Sequence, residues 1–128
     1  MFSITVDLDD SWVVPVYEHV HHGRCFDLLE RARIELLRSM GFPNDELLAA
    51  GKALVIAQVE ATYLREVKRG TVTVTCEDMA IEGRALIVRQ KILNARGKVA
   101  VDARIQSVFM DISTRRGMEV PEDFHAAF

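Results

Sequence analysis

His19-Val20-His21-His22-Gly23-Arg24-Cys25-Phe26-Asp27-Leu28-Leu29-Glu30-Arg31-Ala32-Arg33-Ile34-Glu35-Leu36-Leu37-Arg38-Ser39-Met40 is the stretch that decides the fold. Three of the chain's four histidines crowd its front, and behind them Phe26, Leu29, Ala32, Ile34, Leu36, Leu37 and Met40 recur at helical spacing. The spacing predicts one long core helix fed by a polar, histidine-rich loop. Asp27 with Arg31 at i,i+4 and Glu35 with Arg38 at i,i+3 support it by a few tenths of a kcal/mol each. Gly41 and then Pro43 stop it.

On either side of this helix the apolar period drops to two. Upstream, Phe2, Ile4 and Val6 alternate like a short strand, Asp7, Asp9 and Asp10 interrupt it, and Trp12 to Tyr17 resumes as an apolar run. Pro15 cannot donate to a ladder and marks that run as an edge strand or a bend. Downstream, Asn44 or Asp45 can cap a short second helix that Gly51 ends. Ala53 to Leu64, Thr71 to Cys76, Arg84 to Leu93 and Val99 to Ile112 then read as strands, with Val72, Val74 and Cys76 on one face and Leu86, Val88 and Ile92 on another. Gly70, Gly83 and the Asn94-to-Lys98 loop are the turns. A single apolar helix ahead of an antiparallel meander buries its stripe only by lying across that sheet. The fold class is α+β, a sheet wrapped on one main helix in a single domain, residues 1–128.

Net charge of −3 with scattered basic residues excludes the positive field that nucleic-acid binding needs. No stretch is long and apolar enough to span a membrane, and no basic leader opens the chain. The expectation is a cytoplasmic protein with two reduced thiols, Cys25 and Cys76, and no C-x-x-C pair. Long strands leave an edge to be managed, which favours a homo-oligomer.

The chemistry concentrates before the helix. His19-x-His21-His22 could gather a metal with Asp7, Asp9 or Asp10, but no H-E-x-x-H or thiolate pair completes a set, so no metal or other cofactor is expected. The ordinary reading of such histidines is pairing with backbone or carboxylates at a helix start. The sharper one uses the helix N-terminus: unpaired N–H groups and the positive dipole end polarise a docked carbonyl, while Glu18 acts as base or nucleophile and His19 or His22 activates water. Cys25 as nucleophile competes with Cys25 as a small packed side chain. Arg24, Arg89, Lys91, Arg96 and Lys98 can meet phosphates, with Arg96 and Lys98 the neatest pair, although solvated surface charge is the usual explanation. There is no Walker loop, G-x-G-x-x-G or G-x-S-x-G.

Val20 to Arg33 resembles the hotdog-fold thioesterases of the 4-hydroxybenzoyl-CoA thioesterase-like family, whose pattern is D-x-x-G-x-V-x-H-x-x-Y followed by an E-x-A-R helix. His22 falls on the motif histidine and Glu30-Arg31-Ala32-Arg33 on the helix signature, while Val59 to Tyr63 with Gly70 looks like the family's strand ending in a tyrosine. The resemblance implies a hotdog domain, dimeric or tetrameric, that hydrolyses an acyl-CoA or acyl carrier protein thioester at a subunit interface. Without gaps the family's aspartate falls on Pro15, its glycine on Glu18 and its tyrosine on Cys25; a longer loop would instead match Asp10. Taken together, the catalytic candidates are Glu18, His19, His22 and Asp10, and the substrate-binding ones Gly23, Arg24, Tyr63, Arg96 and Lys98. The backbone N–H near His22 or Gly23 is the expected oxyanion donor. The alternatives are a non-hydrolytic hotdog module that binds an acyl thioester or aromatic ligand, and a dehydratase or isomerase on the same fold.

Overall fold

A computed structural model describes residues 1–127. Its elements run β1 (Phe2–Leu8), a 3-10 turn (Asp10–Trp12), β2 (Val13–Val14), β3 (His19–Val20), α1 (His22–Ser39), α2 (Asn44–Ala49), β4 (Lys52–Tyr63), β5 (Gly70–Cys76), β6 (Asp78–Glu82), β7 (Ala85–Leu93), β8 (Val99–Asp111), β9 (Arg116–Gly117) and α3 (Glu122–Ala126). The main sheet is antiparallel in the order β1-β5-β7-β8-β4, with β6 on β7 and β9 on β8, and it curls around α1. This is the α+β arrangement that the change of period from 3.6 to 2 predicts.

Alternation on β5 and β7 buries Val72, Val74 and Cys76 together with Leu86, Val88 and Ile92 beneath the helix. Gln90 shares that β7 face and is fully buried, which is tolerable because every polar atom is satisfied. Its amide donates to the Leu29 carbonyl at 3.0 Å and accepts from Arg33 Nη1 at 2.9 Å. Burial pulls the Arg33 guanidinium below its ordinary range, with Glu30 opposing.

The helix turns a different face inward from the one expected at its front. Cys25, Leu28, Leu29, Ala32 and Leu37 are its buried residues, whereas Phe26 is 40% exposed. Asp27 pairs backward with Arg24 at 3.6 Å, while Arg31 lies over the Trp12 ring, 5.0 Å from its centroid. Glu35 and Arg38 pair as expected, at 3.5 Å. At its end, Gly41 with φ of 93° supplies the left-handed residue of a Schellman cap: Gly41 N–H donates to the Arg38 carbonyl and Phe42 N–H to that of Leu37. In α2 neither Asn44 nor Asp45 caps; Pro43 occupies that position without a side-chain bond. The C-terminal α3 carries a structural duty that its sequence does not advertise, since Phe124 is fully buried against Phe42 and Phe109 at ring distances of 4.8 and 5.0 Å.

Candidate active site

The approach to α1 is a two-stranded hairpin, with the edge strand and the bend at Pro15 that the sequence suggests. Val13 and Val14 pair with Val20 and His19, Pro15 lies in the turn between them, and Val20 N–H donates to the Val67 carbonyl at 2.7 Å, docking the hairpin on the loop after β4. The turn closes through the N–H groups of Tyr17 and Glu18 on the Val14 carbonyl. Glu18 therefore takes φ of 58°, the left-handed region that favours glycine, and glycine is what the family pattern carries at this ungapped position. Trp12 anchors the unit from behind, with the Arg24 guanidinium 3.9 Å from its ring centroid and bonded to the Ser11 carbonyl at 3.0 Å.

Backbone partners set the three histidines apart. His19 Nδ1 lies 3.0 Å from the Val20 carbonyl, which can only accept, so Nδ1 donates, and in the neutral ring Nε2 is the acceptor. His21 Nδ1 accepts the Gly23 N–H at 3.0 Å, which demands the opposite tautomer and makes His21 the helix N-cap. Arg24 N–H is taken by the His21 carbonyl. The His22 N–H has no acceptor among the described residues, leaving one open donor at the positive end of an 18-residue helix. The expected donor pair thus reduces to His22, because Gly23 is already spent.

His22 and His19 line one cavity of about 420 Å³, whose walls also include Cys25, Tyr63, Leu64 and Val67. Tyr63 closes its far side: the hydroxyl donates to the His22 carbonyl at 2.9 Å, and the ring meets the His22 imidazole edge-on at 6.4 Å. Burial, and then Cys25, raise the Tyr63 phenol above its ordinary pKa. Burial also pushes the Cys25 thiol up to about 11, so at neutral pH it is a packed wall rather than a thiolate nucleophile.

The carboxylates lie elsewhere. Asp10 and Glu18 come together, but both pair with Arg69, Glu18 at 2.8 Å, with side chains 87% and 64% exposed, and neither lines the histidine cavity. The bonds to Glu18 and then Asp10 raise the Arg69 guanidinium further. Arg69 borders a second cavity of about 510 Å³ that also carries Arg65, Glu66, Lys68, Asn94 and Arg96. Arg96 is thus brought to a cavity, whereas Lys98 lines neither and Arg24 is spent on Trp12 and Asp27. Gly23 leaves room for the cap, since a Cβ there would sit 3.2 Å from His21 Nδ1. Sequence reasoning missed Arg65, Glu66, Lys68 and Arg69; the charge cluster before Gly70 was the available signal. Among the described residues, no group of three or more His, Cys, Asp or Glu could hold a metal ion.

Comparison with known proteins places this geometry. The sequence pattern of the thioesterase-like superfamily matches residues 5–128. The chain belongs to that superfamily. It is similar to the long-chain acyl-CoA thioesterase FadM of Escherichia coli, 29% identical over 109 residues that cover 80% of this chain and 79% of that protein. It is also similar to the acyl-CoA thioester hydrolase YbgC of Escherichia coli, 26% identical over 125 residues, 91% and 93% of the two chains. Among solved structures, the hypothetical protein TT1821 of Thermus thermophilus superposes with a TM-score of 0.89 at 20% identity, over 99% of this chain and 96% of that one. Solved structures of a DHNA-CoA thioesterase from Staphylococcus aureus and a 1,4-dihydroxy-2-naphthoyl-CoA thioesterase from Synechocystis also superpose, each with a TM-score of 0.86, at 14% and 13% identity, and the wrapped helix described above is the hotdog fold they share.

Proposed function

We propose that the chain hydrolyses an acyl thioester of coenzyme A, with His19 as general base and the His22 N–H as oxyanion donor. The observation that carries this reading is that one cavity is lined both by His22, whose backbone N–H is unspent, and by His19, whose Nδ1 is engaged by the Val20 carbonyl. The thioester oxygen accepts from His22 N–H as charge develops on it, assisted by the helix dipole. His19 Nε2 takes a proton from water, the resulting oxygen nucleophile adds to the carbonyl carbon, and collapse breaks the C–S bond. The departing thiolate recovers the proton from His19, leaving a carboxylic acid and a free thiol. A positioned base supplies roughly 10²–10⁴-fold and an oxyanion donor roughly 10²–10³-fold. Tyr63 holds the first turn through the His22 carbonyl, and the His22 imidazole walls the cavity. Asp10 and Glu18 act through Arg69 as positioning residues that pin the hairpin to the loop after β4.

Assembly as a homodimer or homotetramer is part of the proposal. It is supported by β4, which among the described residues pairs in the main sheet with β8 alone, and which carries Ile56 and Tyr63, 49% and 44% exposed. No described helix is long and apolar enough to cross a membrane, and the free thiols of Cys25 and Cys76 suit a reducing cytoplasm. Two observations favour the second reading, a binding module without hydrolysis: Pro15 stands at the ungapped aspartate position, and Glu18 is engaged by Arg69.

Thiol release from short-chain, long-chain and aromatic acyl-CoAs tests the choice. Release from at least one class is expected; folded protein that binds acyl-CoA but releases no thiol would establish the binding module instead.

A further inference from the structure

The main strand order has two ends, and only the β4 end enters the assembly proposed above. At the other end β1 pairs with β5 alone among the described residues, in an unbroken register from Phe2 opposite Cys76 to Leu8 opposite Gly70. Edge strands are ordinarily protected by a bulge, a proline or a lysine. Phe2-Ser3-Ile4-Thr5-Val6-Asp7-Leu8 has none of these, so one row of its backbone N–H and C=O groups faces outward as a template for a further strand.

This edge is also one wall of a groove. Four consecutive strand residues, Ile4 to Asp7, line an opening of about 490 Å³ together with Arg31, Ile34 and Glu35 of α1, so the strand borders it by its edge and not by one face. Toward the strand's start, Phe2 shares a neighbouring opening of about 370 Å³ with Leu36 and Ser39, and β1 and α1 therefore run in opposite directions. The groove is apolar through half-buried Ile4, Val6 and Ile34, while its helix flank carries one cation and one carboxylate a turn apart. Both keep only surface partners: Arg31 lies 5.0 Å over the Trp12 ring, and Glu35 is 3.5 Å from Arg38.

We infer that a second copy of this chain adds its own β1 to this edge, antiparallel about a two-fold axis at Thr5. That register sets Ile4 opposite the partner's Val6 and Phe2 opposite the partner's Leu8 on the helix side, and Ser3 opposite the partner's Asp7 on the outer side. Apolar meets apolar and polar meets polar, whereas a slip of one residue would set Ile4 against Thr5. Because strand and helix run oppositely, the same axis turns Arg31 of each copy toward the partner's Glu35. The contact does not rest on the hydrolase reading, and it lies at the opposite end of the sheet from β4, so the two together carry assembly beyond a dimer.

Analytical ultracentrifugation of wild type, Thr5→Lys, Arg31→Glu, Glu35→Arg and the double charge reversal tests it, with circular dichroism confirming that each is folded. Thr5→Lys sets two lysines face to face across the axis and should halve the mass of the wild-type assembly. Each single reversal should weaken association about tenfold, and the double reversal, which restores opposite charges, should recover it. Hydrogen exchange reads the edge itself: those amides of Phe2–Leu8 that point away from β5 should exchange about tenfold faster in Thr5→Lys than in wild type. A wild-type dimer that Thr5→Lys reduces to a monomer would support the β1 contact and remove the one at β4. Equal masses for wild type and Thr5→Lys, or a double reversal that stays dissociated, would overturn the inference and leave the groove to an extended segment of another protein.

Discussion

The two ends of α1 are built to opposite purposes. At the C-terminal end every device closes the structure: Gly41 completes a Schellman cap, Leu37 is buried, and Phe42 leads into the Phe124 and Phe109 rings. At the N-terminal end the cap is partial. His21 satisfies Gly23 alone, the His22 N–H stays open, and the first turn borders a cavity instead of a packed core. One helix thus draws its stability from one terminus and leaves polar capacity unspent at the other, where a ligand carbonyl can use it.

The largest stability effect belongs to the closed end. Phe109→Ala removes a fully buried ring from the aromatic stack and should cost roughly 3–5 kcal/mol, read as a lowered urea midpoint. A cost below about 1 kcal/mol would mean that this end is not the anchor described here.

A pair of smaller substitutions sharpens the contrast. Gly41→Ala forces a side chain into a positive-φ cap and His21→Ala deletes the N-cap acceptor, and each should cost about 1 kcal/mol in urea unfolding. The two differ in function: only His21→Ala, which loosens the turn carrying His22, should lower thiol release. Equal losses of activity from both would dissolve the distinction between the ends.

Most of the fold was legible in the sequence because burial leaves a period: two in Thr71 to Cys76, helical in the stretch to Met40, with glycines where the chain reverses. Legibility failed where the partner lies far away or is backbone. Phe26 reads as core by hydropathy, yet Cys25 and Leu28 take the inward face. Trp12 to Tyr17 does not alternate, so nothing local announced that Val13 and Val14 would pair with His19 and Val20 across Pro15. His21 is not among the usual capping residue types, and the tautomers of His19 and His21 follow from carbonyl and amide partners that only coordinates supply. Asp10 and Glu18 looked available for chemistry because Arg69 is 59 and 51 residues away.

The weakest predicted effect concerns the cavity wall at the N-terminal end. Burial raises the Cys25 thiol from 9.0 to about 11, so its protonated form contributes full stability below pH 9 and that contribution is lost as pH rises toward 11. Near pH 9.5 the loss should be roughly 1 kcal/mol or less, measured as the difference in urea midpoint shift between wild type and Cys25→Ala. Identical alkaline shifts in the two proteins would show that the thiol is not held neutral by burial.

The central claim is that His19 and the open His22 amide, rather than a carboxylate, form the reacting centre. The most direct test compares steady-state thiol release from an acyl-CoA by wild type, His19→Gln and Glu18→Gln, each verified as folded by circular dichroism. His19→Gln should lower kcat roughly 10²–10⁴-fold, and Glu18→Gln, which keeps a hydrogen-bond acceptor for Arg69, should stay within about tenfold of wild type. Full activity in His19→Gln together with abolished activity in Glu18→Gln would contradict the account and assign the base to Glu18.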